Sequence, residues 1–290
     1  MKDIKSITTR NHSYFLHIIL LSALLFSVSG CKYRLAYNTA PFWSKYLLSD
    51  YIPMTNEQEE KFERDVNAFQ KWHRKHELPN IYALLEDFQA NSNKPLDYNQ
   101  IVEYNGRVNK RVLATMKGLT PALASLFASL SDQQVTYLLD KINEDIEESR
   151  EKRAKRTEEE AISHWSSRME KRAKFWLKDI DIQQQKLFDE IAGYYLEMLP
   201  LFEGIADTRL NDLKLMLASR KQPGLEKRID AYLEDLVMMK IEDQQALKLY
   251  NVRRNEVLFR MDRHLSEKQR GNFRENLAVL SKDISQLMKD

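Results

Sequence analysis

The chain has 290 residues with 45 basic and 43 acidic side chains; residues 1–30 hold three of the bases and one of the acids, which leaves 42 of each from residue 31 onward. So balanced a body offers no electrostatic ground for nucleic-acid or anionic-surface binding. Charged residues at 30%, aromatics at 10% and only 7 glycines exclude a disordered chain or a β-rich fold and fit long amphipathic helices.

The first element is a leader. Lys2, Lys5 and Arg10 precede an apolar run from Tyr14 to Val28, broken only by His17, Ser22 and Ser27. That order is a secretory signal, and its apolar part falls short of the about 20 residues that a permanent membrane helix needs. The run closes on Val28-Ser29-Gly30-Cys31, which resembles a lipobox: small residues at the two positions before a cysteine whose thiolate takes a diacylglycerol. Cleavage is therefore expected between Gly30 and Cys31, with Cys31 lipidated. As the single cysteine of the chain, it has no disulfide partner within it. Lys32 follows it where an aspartate would retain a Gram-negative lipoprotein at the inner membrane, so the resemblance implies the outer membrane, periplasmic face.

Residues 31–53 carry Tyr33, Tyr37, Phe42, Trp43, Tyr46 and Tyr51. Such a segment either lies in a membrane interface or packs as the first helix of a core; Pro41 and Pro53 bracket one helix-sized piece, which favours the core. Beyond it, residues 54–290 form the expected body, with possible sub-bundles at 54–150 and 151–290. The spacing predicts helices nearly throughout: Phe62, Val66, Phe69 and His73; Ile81, Leu84, Leu85 and Phe88; Tyr104, Val108, Val112 and Met116; Val135, Leu138, Leu139, Ile142 and Ile146; Ile162, Trp165, Met169, Ala173, Trp176 and Ile180; Leu187, Phe188, Ile191, Tyr195 and Met198; Leu225, Ile229, Tyr232 and Leu236; and Phe273, Leu277, Leu280, Ile284 and Leu287. No window alternates long enough for a strand pair. Breaks are expected at Pro53, Pro79, Asn91 to Pro95, Gly118 to Pro121, Pro200 and Lys221 to Gly224. The fold class is all-α, a multi-helix antiparallel bundle or elongated helical array after a cleaved signal peptide.

Four helix starts share one pattern. Thr55 with Gln58, Ser131 with Gln134 and Ser266 with Gln269 each join a hydroxyl to a glutamine three residues on, flanked by apolar residues, and Asp181 with Gln184 repeats it with a carboxylate. This is the capping box, in which the first side chain accepts from a free N–H of the opening turn and the glutamine reaches back to the cap. The intervals of 76, 50 and 85 residues are compatible with duplication of a two-start unit.

Tyr37-Asn38, Trp43, Asp50-Tyr51, the Thr55 to Gln58 cap and Trp72-His73-Arg74 with Glu77-Leu78-Pro79, together with the lipobox, resemble an uncharacterised family of Gram-negative lipoproteins, a domain of unknown function. The later part of that pattern resembles the Arg150 to Trp165 segment and the Gln184 start. The resemblance implies location and fold and carries no activity. The Leu-Ser/Thr-x-x-Gln repeats are also similar to those of the Spy and CpxP periplasmic chaperones, which would imply client holding or envelope-stress modulation.

Trp72, His73, Arg74 and Glu77 are the candidate interaction residues. His73 and His76, three apart with Glu77 adjacent, could offer two imidazoles to a metal; a histidine near a helix C-terminus ending at Pro79 is the plainer reading, so no metal is assigned. Arg150, Lys152, Arg153, Lys155 and Arg156 sit among carboxylates at helical spacing, which reads as a salt-bridged face. No Gly-x-Ser-x-Gly elbow, P-loop, dinucleotide fingerprint or His-Glu-x-x-His is present. The expectation is a non-enzymatic lipoprotein without cofactor, held to the membrane by its N-terminal lipid and binding an unidentified envelope protein or peptide, with no nucleic acid. A chaperone of the Spy type is the first alternative, and an uncatalogued hydrolase or metal-dependent enzyme around His73 is the second.

Overall fold

A computed structural model describes residues 31–241 and 243–290, with the backbone alone for residues 31–33. The leader and Gly30 lie outside the described residues, as does the Cys31 side chain. All regular structure among the described residues is helical: α1 (Cys31–Asn38), α2 (Ala40–Ser49), α3 (Asn56–Trp72), a π-helical turn (His73–Glu77), α4 (Leu78–Asn91), α5 (Tyr98–Gly118), α6 (Thr120–Ser129), α7 (Asp132–Ala154), α8 (Glu158–Leu177), α9 (Ile182–Ala218), α10 (Leu225–Val237), α11 (Gln244–Arg263) and α12 (Glu267–Leu287). The all-α expectation holds.

The 37-residue α9 is the central strut, flanked by α8 and α11 along its first part and by α7 and α10 further on. Two apolar clusters form around this arrangement. The larger gathers Ile52, Phe62 and Val66 with Met116, Leu126, Leu130, Leu138 and Ile142, and with Leu213, Leu217, Ile229 and Leu233. The smaller joins Leu78 of α4 to Leu280, Ile284 and Leu287 of α12, with Tyr37, Ile81, Leu85, Phe175 and Trp176 against them. Each cluster draws on both 54–150 and 151–290. One stretch among the described residues, Tyr98–Ser129, is long and apolar enough to cross a membrane; Met116, Leu126 and Phe127 within it belong to the larger cluster.

All four predicted capping boxes form, at Thr55, Ser131, Asp181 and Ser266. Two more form at Asp97 with Gln100 and at Thr157 with Glu160. The opening glutamines do more than cap. Gln58 and Gln134 exchange side-chain hydrogen bonds at 3.2 and 2.7 Å, and Gln184 and Gln269 do the same at 2.9 and 2.8 Å. Gln134 also donates to the Pro53 carbonyl, Gln58 to that of Ser129 and Gln269 to that of Asp179, each two residues ahead of the partner's cap. The α3 and α7 starts are thereby tied together, and the α9 and α12 starts are tied in the same way.

Helix ends leave carbonyls without intrahelical partners, and arginines supply the donors. Arg220 donates to Leu130 O and Leu217 O, Arg209 to Lys240 O, Arg270 to Asp262 O, and Arg228 to Ser219 O. In the Lys221 to Gly224 turn Gly224 adopts φ +83°, a backbone that suits glycine.

Two expected breaks are absent. Pro79 does not end a helix: α3 passes through the π turn into α4, and Pro79 occupies the first turn of α4, where a missing N–H costs least. Pro200 lies inside α9. Its cost of about 3 kcal/mol in a helix interior is outweighed by apolar packing on either side, with Ile191, Ala192 and Met198 buried before it and Leu213, Met216 and Leu217 after. Pro41 and Pro53 bracket one helix, α2, with Pro41 in its first turn, and a further helix, α1, precedes it.

Candidate functional site

Trp72, His73, Arg74 and Glu77 do come together around the π turn, with His73 and Glu77 buried, Arg74 half-buried against α1 and Trp72 partly exposed beside the end of α5. The extra residue in a π turn shifts the register of the helix face. His73, the first residue of that turn, still lies on the stripe of Phe62, Val66 and Phe69 and is buried, 7% exposed, between Tyr37 of α1 and Thr115 of α5. Its Nδ1 lies 3.1 Å from the Tyr37 hydroxyl and its Nε2 lies 3.3 Å from Thr115 Oγ1. Both ring nitrogens thus have hydroxyl partners that can either donate or accept, which suits a neutral imidazole. Burial pushes its pKa down to about 4.

The partner side of this contact is the Tyr37-Asn38 pair. The Tyr37 hydroxyl donates to Gln70 O, Gln70 returns a bond to Tyr37 O, and the Arg74 guanidinium sits 5.5 Å over the Tyr37 ring while donating to Asn38 Oδ1 at 2.9 Å. Burial lifts the Tyr37 phenol to about 12, against the lowering influence of Arg74. At the other end of α1, Arg34 meets the Asp290 carboxylate at 3.0 Å, so the helix is fixed to α3 and to the C-terminus together. The residues of the Tyr-Asn and Trp-His-Arg patterns, 34 to 37 positions apart in the chain, form one clamp.

Glu77 is buried and faces Arg111 of α5 at 3.2 Å; burial raises its carboxyl pKa, with Arg111 pulling the other way. Trp72 is 37% exposed and its indole lies against Gly118, where an added Cβ would come within 2.1 Å of the ring. His76 points outward beside Trp72, their rings 6.2 Å apart, so the two histidines do not converge. Among the described residues no three His, Cys, Asp or Glu side chains are gathered as a metal would require. The Asp50-Tyr51 element is likewise internal, with the Tyr51 hydroxyl donating to the buried Asp145 at 2.6 Å.

The aromatic segment, expected to pack as the first helix of the core, does so with only part of its aromatics. Tyr51 is buried and Tyr37 half-buried, but Phe42, Trp43 and Tyr46 on α2 are 59%, 52% and 59% exposed. Pro41 and Leu48, on the other side of α2, are the ones turned inward. The basic run is a salt-bridged face as read: Lys152 pairs with Glu148, Arg150 with Glu147 and Asp207, and Arg153 with Glu203, binding α7 to α9.

A separate cleft of about 710 Å³ opens beside the Gln58–Gln134 pair, lined by Pro53, Thr55, Lys61, Phe62, Ser125, Ser129, Ser131 and Tyr137. The sequence did not mark it, because it arises where the start of α3 meets the α6–α7 corner.

The model of the Family of unknown function (DUF6279) matches residues 50–244, from the Asp50-Tyr51 element through the clamp turn and α9. The chain belongs to this family. Within the DUF6279 match lie Trp72, His73, Arg74 and Glu77, while Tyr37, Asn38 and the exposed α2 aromatics precede it and α12 follows it. No curated protein matches the chain. No solved structure matches it either.

Proposed function

We propose that this DUF6279 chain is a lipoprotein anchored in the outer membrane through Cys31, with a non-catalytic helical body in the periplasm that binds another envelope protein or peptide. The observation that carries the reading is the distance from lipobox to clamp. Tyr37 follows Cys31 by six positions, about 9 Å along a helix. An acyl anchor on Cys31 would therefore join a helix already pinned to the body by Tyr37, Asn38 and Arg34, with no polar tether between. Each buried methylene adds about 0.8 kcal/mol to membrane attachment, so the several acyl chains of a lipoprotein make a lasting hold. The non-catalytic part is supported by His73: the candidate base is buried, its proton affinity is lowered, and its ring hydrogen bonds go to Tyr37 and Thr115.

Labelled palmitate is expected on the wild type and absent from Cys31→Ser, which leaves the membrane fraction for the soluble periplasm. Equal labelling of both, or a wild type that fractionates as soluble, overturns the anchor. Turnover of an envelope substrate by the purified chain lacking Cys31 overturns the non-catalytic part.

A second reading, a chaperone of the Spy type, is favoured by the cleft beside the Gln58–Gln134 pair, where Phe62, Leu126 and Tyr137 offer apolar surface among hydroxyls and amides. It predicts that the protein suppresses aggregation of an unfolded client at near-stoichiometric ratio and that Tyr137→Asp weakens this. No suppression removes it.

A further inference from the structure

We propose that the exposed face of α2 is a membrane-contact ridge that seats the body in the interfacial layer of the bilayer. The inference rests on the anchor reading and adds to it a second attachment of stated orientation. Leu35, Phe42, Trp43, Tyr46 and Leu47 are 64%, 59%, 52%, 59% and 37% exposed. On α2 the four sit at i, i+1, i+4 and i+5, which is one stripe of a helix. Phe42 meets Trp43 edge-on at 5.4 Å, and Trp43 meets Tyr46 edge-on at 6.0 Å, so the rings form a continuous surface. The opposite side of α2 is committed to the body: Leu48 packs on the larger core, and Lys45 pairs with Glu59 and Glu63 of α3.

The position of this stripe in the chain decides its occupant. Phe42 follows Cys31 by eleven residues, which at ~1.5 Å per residue places it within about 17 Å of the lipidated residue. Backbone hydrogen bonds across the α1–α2 junction, from Thr39 N–H to Leu35 O and from Trp43 N–H to Thr39 O, keep the two helices in nearly helical succession and hold that distance short. A face kept so near the anchor meets the bilayer whenever the anchor is inserted. Its composition suits that depth, since Trp and Tyr have an apolar body and one polar atom each and concentrate where hydrocarbon meets headgroups. Several exposed apolar rings at one site would be a liability on a body surrounded by water.

The test uses the full-length protein purified from membranes and reconstituted in phosphatidylethanolamine and phosphatidylglycerol vesicles, with and without bromine on the acyl chains. The emission difference between wild type and Trp43→Phe isolates Trp43 from Trp72, Trp165 and Trp176. The ridge predicts that bromolipid removes most of that difference. Phe42→Ser with Tyr46→Ser, both exposed and outside the core, is expected to restore it while thermal unfolding stays unchanged. Intact mass separates the two ideas. An acylated Cys31 with Trp43 emission untouched by bromolipid overturns the ridge alone, whether that face is bare or covered by a protein. An unmodified Cys31 overturns the anchor and the ridge together.

Discussion

Gly118 is the last residue of α5, where that helix packs against the clamp turn, and its lack of a side chain is what lets the Trp72 indole lie against the backbone. A Cβ there would stand 2.1 Å from Cζ3 of that ring, well inside contact distance. Gly118→Ala is therefore expected to lower stability in urea unfolding by about 1–3 kcal/mol, the range for an overpacked site. The loss should shrink when Trp72 is replaced by Phe, whose shorter ring clears the new methyl; a loss of equal size in both backgrounds would place the cause elsewhere. His73 makes a prediction in pH. Its pKa is lowered from 6.5 to about 4, so the unfolded chain binds the proton more readily than the folded one across that interval. Stability is thus full above 6.5, falls as pH drops through the interval, and levels off below 4, an effect of up to about 3 kcal/mol. Glu77 works in the opposite sense, because its raised pKa disfavours the folded state as pH rises. Comparing the pH dependence of unfolding in wild type and His73→Gln isolates the histidine. The account requires the variant to lose the acid-side slope.

At the scale of elements, the helix starts were the most legible feature of the sequence, because a capping box is a local pattern that needs only four residues. What the pattern could not show is that Gln58 faces Gln134 and Gln184 faces Gln269, since that depends on which helix ends meet. The Gln184–Gln269 pair is fully enclosed, the two residues 0% and 7% exposed. Removing Gln269 takes away the acceptor of the buried Gln184 amide, a cost of about 1–3 kcal/mol, whereas Gln269 keeps the Asp179 carbonyl when Gln184 is removed. Gln184→Ala and Gln269→Ala should each be destabilising and their combination less than additive, with a coupling of at least ~0.5 kcal/mol in a double-mutant cycle. Additive losses would mean that the pairing carries no energy of its own. The prolines misled for a related reason. Pro79 and Pro200 carry the same local signal as Pro53, yet one sits in an opening turn where it is tolerated and the other in a strut held by neighbours along its length. Local propensity announces a break, and tertiary packing decides whether the chain takes it.

For the whole molecule, the periodicity that made the all-α class legible left the packing order open, as it must when nearly every helix has one apolar face. The Trp-His-Arg pattern and the Tyr-Asn pattern were visible as words, and the stripe of Phe62, Val66, Phe69 and His73 marked the buried face, but their meeting was not legible, because it depends on how α1 packs against α3 and α5. The aromatic segment was half legible: Tyr37 and Tyr51 turn inward, whereas Phe42, Trp43 and Tyr46 remain outside. Together these features make the central claim specific: the Trp72 to Glu77 region is a clamp that holds the helices following Cys31 against the body. Amide hydrogen exchange of the folded protein tests this most directly. In the wild type, peptides covering Cys31–Asn38 and Ala40–Ser49 are expected to exchange as slowly as those of α3, and in His73→Ala with Arg74→Ala to exchange much faster while α9 and α12 stay protected. Wild-type α1 and α2 exchanging at the rate of unstructured chain, or a double variant that leaves their exchange unchanged, would contradict the clamp.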